Sequence, residues 1–195
     1  MALSDKRLIL ASASPRRREL LGRFGLDFEV LPARGPEEPR GDRTPEDYVK
    51  VLAAAKAAEI AELVGDENAV IIGSDTVVER NGVILGKPAH EADAFRMLTA
   101  LSGGEQRVWS GVCVRQGERV LTAAECTVVH FRTLTEREIR AYIATGEPMD
   151  KAGAYGYQGL ASVFVDSIHG DYFNVVGLPL CRLGQMLKEF GVILL

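Results

Sequence analysis

The order of apolar segments along the chain constrains the fold most, because strand-type and helix-type patterns follow one another. Residues 8–13 form a short apolar run typical of a buried strand, and residues 26–31 alternate apolar and polar side chains as a second strand would. Thr44 and Pro45 then predict the start of a long alanine-rich helix, and residues 69–78 predict a central strand. This order favours an α/β fold with a mixed sheet flanked by helices.

The remainder of the chain predicts shorter elements. Asn81-Gly82 is a strong hairpin signal between two apolar segments. Further helices are predicted over 92–101, 135–145 and 178–190, and further strands over 108–115, 119–124, 126–132, 162–168 and 172–176.

Length and charge limit the class of protein. A chain of 195 residues fits a single domain, 1–195, and a net charge of -4 gives no global basic character for nucleic-acid binding. We expect no membrane-spanning segment and no signal peptide. The three scattered cysteines predict a reducing cytoplasm, with the thiols as buried small hydrophobic groups. The three histidines show no metal-ligand spacing that would indicate a zinc site.

Three consecutive arginines stand at the start of a predicted helix. Ser14 suits the N-cap and Pro15 the first helical position, so Arg16 to Arg18 fill the first turn. The helix dipole is already positive there, and cations are mildly unfavourable. An anion bound at this helix start would remove the conflict, since backbone N–H groups and arginine forks both match phosphate oxygens. Arg18 is expected to face solvent.

Two charged residues interrupt apolar patterns. Lys56 falls within the stripe Val49, Leu52, Ile60 and Leu63, where it either passes the edge of the core or points into a cleft. Asp75 lies within the predicted central strand. A buried carboxylate needs hydrogen bonds, a cation or a metal, so Asp75 is either a functional group or the cap of a neighbouring turn.

Two later segments add candidate ligand contacts. Gly86-Lys87-Pro88 places a lysine just after the hairpin strand, where an ordinary loop lysine is the alternative. The segment DKAGAYGYQG, residues 150–159, holds three glycines, which allow a ligand to approach the backbone closely. It lacks the Gly-Lys-Ser/Thr of a P-loop.

Six motifs together resemble the Maf family of nucleoside triphosphate pyrophosphatases, which are also described as septum-formation proteins. In chain order they are SASPRRRELL, LAAAKA, GSDTVV, GKP, DKAGAYGYQG and GDYFNVVGLPL, and they cover residues 8 to about 187. The resemblance implies an elongated α/β fold like that of inosine triphosphate pyrophosphatases, with a long mixed sheet and a cleft between two lobes. The implied reaction is attack of water on the α-phosphorus of a nucleoside triphosphate, with a divalent metal such as Mg²⁺ or Mn²⁺.

The resemblance also implies residue roles. Asp75 would be the proton acceptor and a metal ligand, while Lys56 and Lys87 would neutralise phosphate charge. An acidic residue in the loop after the second strand would complete the metal site. An ungapped count favours Glu37, and the adjacent Glu38 stays open.

Arg16, Thr76 and Gln158 match the branch of the family that prefers dTTP and UTP. A glutamine amide offers one donor and one acceptor, which match O4 and N3–H of uracil or thymine. Modified pyrimidine nucleotides fit the same pattern. Arg17 and Ser14 are expected to contact the substrate as well. Tyr157 stands where an aliphatic residue is usual, and it would either narrow the base pocket or only pack.

The alternative function is a nucleotide-binding regulator of cell division that acts through a protein partner. Release of triphosphate or of a single phosphate is a further alternative for the chemistry. The resemblance leaves a homodimer, a role in division arrest and a role in cleansing the nucleotide pool open.

Overall fold

The computed structural model describes residues 6–36 and 40–195, and it contains one sheet of seven strands with helices around it. The strands are β1 Leu8–Ala11, β2 Glu29–Val30, β3 Val70–Arg80, β4 Val83–Leu85, β5 Glu105–Gln116, β6 Arg119–Phe131 and β7 Val165–His169. The α-helices are α1 Pro15–Gly22, α2 Pro45–Val64, α3 Glu91–Leu101, α4 Glu136–Ile143, α5 Tyr172–Val176 and α6 Leu180–Glu189. Short 3-10 helices span Glu147–Asp150, Ala152–Ala154 and Leu160–Phe164.

The sheet mixes parallel and antiparallel pairing. Its strand order is β2-β1-β3-β5-β6-β7, with β4 also paired to β3. Strand β1 is parallel to both β2 and β3, whereas β3 with β4 and β6 with β7 are antiparallel. The predicted mixed α/β architecture is confirmed, whereas the elongated shape and the cleft stay predictions.

Local sequence explains the principal element boundaries. The Thr44 side chain accepts a hydrogen bond from Asp47 N and caps α2, which ends at Gly65 with φ 63°. The predicted Asn81-Gly82 hairpin is confirmed, with φ 52° and 80° at the two turn residues, as a type I′ turn requires.

Two glycines let helix α2 lie directly on the sheet. A Cβ at Gly73 would stand 2.1 Å from the Ala53 carbonyl oxygen, and a Cβ at Gly111 would stand 2.1 Å from the Val49 carbonyl oxygen. Both distances lie far inside van der Waals contact. The missing side chain at Gly73 therefore opens no space for a ligand, because the backbone of α2 fills that space.

The chain divides into two compact units. The first comprises the described part of Met1–Asp75 together with Ser110–Glu125 and Gly177–Leu195. Part of its core packs α2 against β1 and β3 through Ile9, Ala57, Ile60 and Ile71. The second comprises Thr76–Trp109 and Cys126–Val176. Its core is rich in aromatic rings from Phe131, Tyr142, Tyr155 and Phe164.

Several predicted boundaries differ from the structure. Strand β2 is only two residues long, and the strands expected over 119–124 and 126–132 form the single strand β6. The strand expected over 162–168 begins later, because residues 160–164 form a 3-10 helix. Leu63 is 72% exposed, so the apolar stripe of α2 ends at Ile60.

The strand predicted over 172–176 is wrong, since Tyr172–Val176 is helix α5. The Asp171 side chain accepts a hydrogen bond from Phe173 N at 2.7 Å, which turns the chain at this point. Asn174 is fully buried, and its Nδ2 donates to Val108 O and Thr127 Oγ1, each at 2.9 Å. The two consecutive valines, Val175 and Val176, favour a strand when only hydrophobic periodicity is considered. That pattern contains no information about the polar contacts of Asp171 and Asn174.

The cysteines only partly follow the prediction that they are buried. Cys113 is buried, and burial raises the pKa of its thiol to about 12. Cys126 is half-buried and Cys181 is exposed, so the expectation is wrong for Cys181. Within the described ranges, none of the helices has the length and apolar character needed to span a membrane.

Candidate functional site

The carboxyl ends of the two parallel strands β1 and β2 bring the sequence motifs of the first unit together beside strand β3. Ala11 pairs with Gly73 and Leu10 pairs with Val30. The segment that leads into the arginine helix and the loop after β2 therefore leave the sheet at one end, next to the residues of β3 that continue past Gly73. Ligands of parallel α/β sheets bind at this kind of edge.

Lys56 and Asp75 form an ion pair in the first unit. The Lys56 ammonium donates a hydrogen bond to Asp75 Oδ1, from helix α2 to strand β3. The two side chains are only 21% and 12% exposed. The two predicted catalytic residues thus lie together, and Asp75 does not cap a turn.

Arg17 has a clear role in holding the backbone. Its Nε donates to Gly177 O at 2.7 Å, and its Nη1 donates to Ser74 O at 2.9 Å and to Ser12 Oγ at 3.2 Å. Ser74 Oγ donates to the same Gly177 carbonyl at 3.1 Å. The guanidinium therefore ties the start of α1 to the strand residue that precedes Asp75. Its predicted phosphate contact stays a prediction beside this structural role.

The start of α1 has the predicted capping. Ser14 is the N-cap, and its side chain accepts from Arg17 N. Arg16 is half-buried in the first turn, whereas Arg18 is exposed as expected. Arg23 Nη2 donates to Glu19 Oε1 at 3.1 Å, one turn apart on the surface of the helix.

Glu59 organises the loop after β2, and sequence reasoning missed it. Its carboxylate accepts hydrogen bonds from Arg34 N at 2.7 Å and Gly35 N at 2.9 Å. These two bonds, in that order, lower the pKa of Glu59, and the charge of Lys56 acts in the same direction. Glu59 lies three residues after Lys56 on α2, a spacing that places both on neighbouring turns of one face. The predicted metal ligand Glu37, with its alternative Glu38, lies outside the described residues.

The second unit carries the remaining predicted site residues. Thr76 is half-buried on β3, directly after Asp75 in the chain. Lys87 is exposed just after β4. The preceding carbonyl, Gly86 O, accepts a hydrogen bond from Gly153 N at 3.0 Å, so the lysine loop is attached to the glycine-rich segment.

Gln158 is exposed on a turn of the same unit. Its Nε2 donates to Tyr172 Oη at 3.3 Å. The rings of Tyr157 and Tyr172 meet edge to face with centroids 5.4 Å apart. Tyr157 therefore packs on Tyr172, and its influence on base preference stays open to measurement.

The first unit offers the groups that a phosphate-transfer site needs. An ionised carboxylate can accept a proton, a lysine can offset negative charge, and a helix start rich in N–H donors can hold phosphate oxygens. Across residues 6–36 and 40–195, no cluster of three or more His, Cys, Asp or Glu side chains is arranged to hold a metal. Mg²⁺ is commonly held by one or two carboxylates together with substrate phosphates and water, so the Asp75 carboxylate fits such an ion.

The chain belongs to the family of Maf-like proteins, whose family model matches residues 7–190. The match includes every described residue of the ion pair, the arginine helix and the Gln158 turn.

Curated relatives resemble the chain along almost its whole length. A dTTP/UTP pyrophosphatase of Pelotomaculum thermopropionicum is 50% identical over 188 residues, which are 95% of this chain and 97% of the relative. A dTTP/UTP pyrophosphatase of Thermococcus gammatolerans is 50% identical over 184 residues, covering 94% and 96% of the two chains.

The fold has a solved counterpart at low sequence identity. A HAM1 protein from Coxiella burnetii superposes with a TM-score of 0.52 at 14% identity, covering 94% of this chain and 99% of that one. This likeness supports the expected fold.

Proposed function

We propose that this chain is a nucleoside triphosphate pyrophosphatase that converts dTTP and UTP to the monophosphate and pyrophosphate. The observation that carries the proposal is the Lys56–Asp75 pair, in which Asp75 lies on β3 just past the end of β1, where the chain continues into the arginine helix. A binding protein needs cations for a triphosphate, but it has no need of a carboxylate beside them. Relatives that are 50% identical to this chain and are named dTTP/UTP pyrophosphatases support the same reaction and the same preference for thymine and uracil.

In the proposed reaction, Asp75 accepts a proton from the attacking water as its oxygen bonds to the α-phosphorus. The bond from the α-phosphorus to the bridging oxygen breaks, and pyrophosphate leaves. Lys56 holds the Asp75 carboxylate in place and, with Lys87, offsets negative charge on the phosphates. Ser14, Arg16 and Arg17 supply donors at the start of α1.

A divalent cation, Mg²⁺ or Mn²⁺, would be held by Asp75 and by Glu37 or Glu38. When bound it would supply positive charge at the phosphate oxygens and orient the water. Glu59 would support this arrangement by holding the beginning of the loop that carries Glu37.

The proposed base preference rests on Gln158, with Thr76 and Arg16 as further specificity residues. The amide would accept from N3–H and donate to O4 of uracil or thymine, and modified pyrimidines that keep these groups should also react. Cytosine reverses both groups, so it would need the amide turned over, away from the orientation in which Nε2 donates to Tyr172 Oη, and should be a poorer substrate. Residues 1–195 would act as one catalytic domain in the cytoplasm.

A panel of nucleotides tests the proposal, with the monophosphate and pyrophosphate products measured separately in Mg²⁺ or Mn²⁺. Fast release of pyrophosphate from dTTP and UTP, but not from CTP or GTP, is expected. Tight nucleotide binding without pyrophosphate release would instead favour the regulator of cell division. Release of triphosphate or single phosphate would contradict attack at the α-phosphorus.

A further inference from the structure

The turn that carries Gln158 is held at both ends by two side chains of the second unit. Gly156 N donates to Tyr142 Oη at 3.1 Å. Leu160 N donates to both carboxylate oxygens of Glu147, at 3.1 and 3.0 Å. Tyr142 Oη in turn donates to Glu147 Oε1 at 2.9 Å. One connected set of bonds therefore fixes the first and last residues of the turn.

Gly159 of the turn lies directly against this carboxylate, and Gly156 lies against it and Lys151. A Cβ at Gly159 would stand 2.3 Å from Glu147 Oε1, whereas a Cβ at Gly156 would stand 2.8 Å from Lys151 Cδ and Cε and 3.3 Å from Glu147 Oε1. A carboxylate can normally move aside, but this one is held by bonds from Tyr142 and Leu160. The close fit explains two of the glycines that the sequence analysis assigned to ligand approach.

The Tyr142 hydroxyl is the donor in its hydrogen bond with Glu147. Tyr142 is buried, and burial raises its pKa above the usual range, with the bond to Glu147 acting in the same direction. The phenol therefore stays protonated at neutral pH. Its O–H bonds to Glu147 while its oxygen accepts from Gly156 N.

Gln158 itself extends outward from the turn, where its amide contacts Tyr172. None of the bonds that fix the turn uses the Gln158 side chain. The backbone position of Gln158 is therefore set by Glu147 and Tyr142, while its amide stays available for a base.

We infer that Glu147 is a positioning residue for pyrimidine selection, acting through the Gly156–Leu160 turn on Gln158. The inference rests on the proposed function, in which Gln158 recognises the base. A bidentate contact to uracil needs the amide at one distance and angle. Loss of the bonds that anchor the turn should therefore reduce the selectivity for uracil more than it reduces the rate of the chemical step.

The test measures kcat/KM for UTP and CTP, which share the sugar and the triphosphate and differ in the groups that Gln158 would read. We expect Glu147→Ala to lower the UTP/CTP ratio about tenfold, chiefly through the KM for UTP. Glu147→Gln, which keeps an acceptor for Leu160 N, should recover most of the ratio. Glu136→Ala is the matched control, because the exposed Glu136 pairs with the exposed Arg140 one turn further along α4.

A double variant separates positioning from general stabilisation. In a Gln158→Ala background, Glu147→Ala should change the UTP/CTP ratio by less than about twofold, because the two residues act as one unit. If Glu147→Ala lowers kcat/KM for both nucleotides equally, or lowers the ratio equally in both backgrounds, the inference is overturned. If Glu147→Ala does not fold, Glu147→Gln and Tyr142→Phe decide by the same ratio.

Results that refute the proposed function differ from those that refute only the positioning role of Glu147. Wild-type protein that releases no pyrophosphate, or a Gln158→Ala variant with an unchanged UTP/CTP ratio, refutes the proposed function and the inference with it. A wild type that discriminates through Gln158, with an unchanged ratio in Glu147→Ala, refutes the positioning role alone.

Discussion

Lys56 on α2 and Asp75 on β3 form an ion pair that is largely shielded from solvent. The pair is possible because Gly73, two residues before Asp75, has no side chain to hold the helix away from the strand. The geometry of the ion pair therefore depends on the close packing of α2 against the sheet. The variants below separate the contributions of the charged pair and of the packing.

Replacement of the proposed proton acceptor should remove turnover but not binding. For Asp75→Asn we expect kcat to fall about 10³-fold, because the amide keeps the shape and cannot accept the proton. Nucleotide affinity, measured by calorimetry without a divalent cation, should change little. Asp27→Asn, at an exposed aspartate, is the control. Retention of wild-type kcat in Asp75→Asn would contradict the assigned role.

Loss of the lysine should leave a shielded carboxylate without its partner. We expect Lys56→Met to lower the free energy of unfolding by about 2 kcal/mol, because the shielded Asp75 carboxylate loses its ion-pair partner. The double variant Lys56→Met/Asp75→Asn should recover much of that stability in urea unfolding and remain inactive. A double variant no more stable than Lys56→Met would show that the pair contributes little.

Gly73→Ala tests how closely the helix must approach the sheet. The added Cβ would meet the Ala53 carbonyl oxygen, so α2 must move outward and carry Lys56 with it. We expect a loss of about 2–4 kcal/mol in stability and a lower kcat. Gly22→Ala is the control, since nothing lies within 4 Å of its Cβ position and alanine favours a helix. An unaffected Gly73→Ala protein would contradict the close packing.

The two neighbouring arginines should respond differently to lysine. Arg17 donates to two backbone carbonyls, which a lysine cannot reach together, so Arg17→Lys should lower the melting temperature by several degrees. Arg16→Lys should leave that temperature nearly unchanged and raise the KM for UTP. Thermal unfolding and steady-state kinetics on both variants distinguish these outcomes. Equal effects on stability would contradict the division of roles.

The pH dependence of stability should include a contribution from Glu138. Bonds from Arg132 and then from the Thr135 backbone and hydroxyl lower the pKa of Glu138 to about 2. Because the folded-state pKa lies below the unfolded one, this contribution is complete above about pH 4.5 and is lost as the pH falls toward about 2.

Glu138→Gln tests that contribution. Its melting temperature should lie below that of the wild type at pH 7, and the difference should shrink through that pH window. Glu136→Gln, on an exposed pair of the same helix, should show no such trend. A difference for Glu138→Gln that is constant between pH 7 and pH 3 would contradict the shift.

Most elements of the first unit and its two charged site residues could be predicted from the sequence. The charged residues stand out because each one interrupts a pattern of buried apolar side chains. Asp75 interrupts a strand and Lys56 interrupts a helical stripe. Their pairing could not be predicted, because it depends on how α2 lies against β3. That packing is fixed by contacts of Gly73 and Gly111 with backbone far away in sequence.

The hydrogen bonds that hold the Gln158 turn also could not be predicted from the sequence. Glu147 begins a short 3-10 helix in a segment with no periodic pattern, and its partners are 5 and 13 residues away. The short helix at Tyr172 was missed for a related reason. A buried asparagine that bonds to two strands decides its conformation, and local β propensity does not.

The way in which the Gln158 turn is anchored has a consequence for how such a protein can diversify. Its anchoring bonds end on the backbone N–H groups of Gly156 and Leu160, so they place no demand on the side chains at 157 and 158. Those two positions can be exchanged while the frame around them stays intact. With Gln158 in its proposed role, a change at this position alters the contact to the base without rebuilding the turn, provided that both glycines and the carboxylate beneath them are kept.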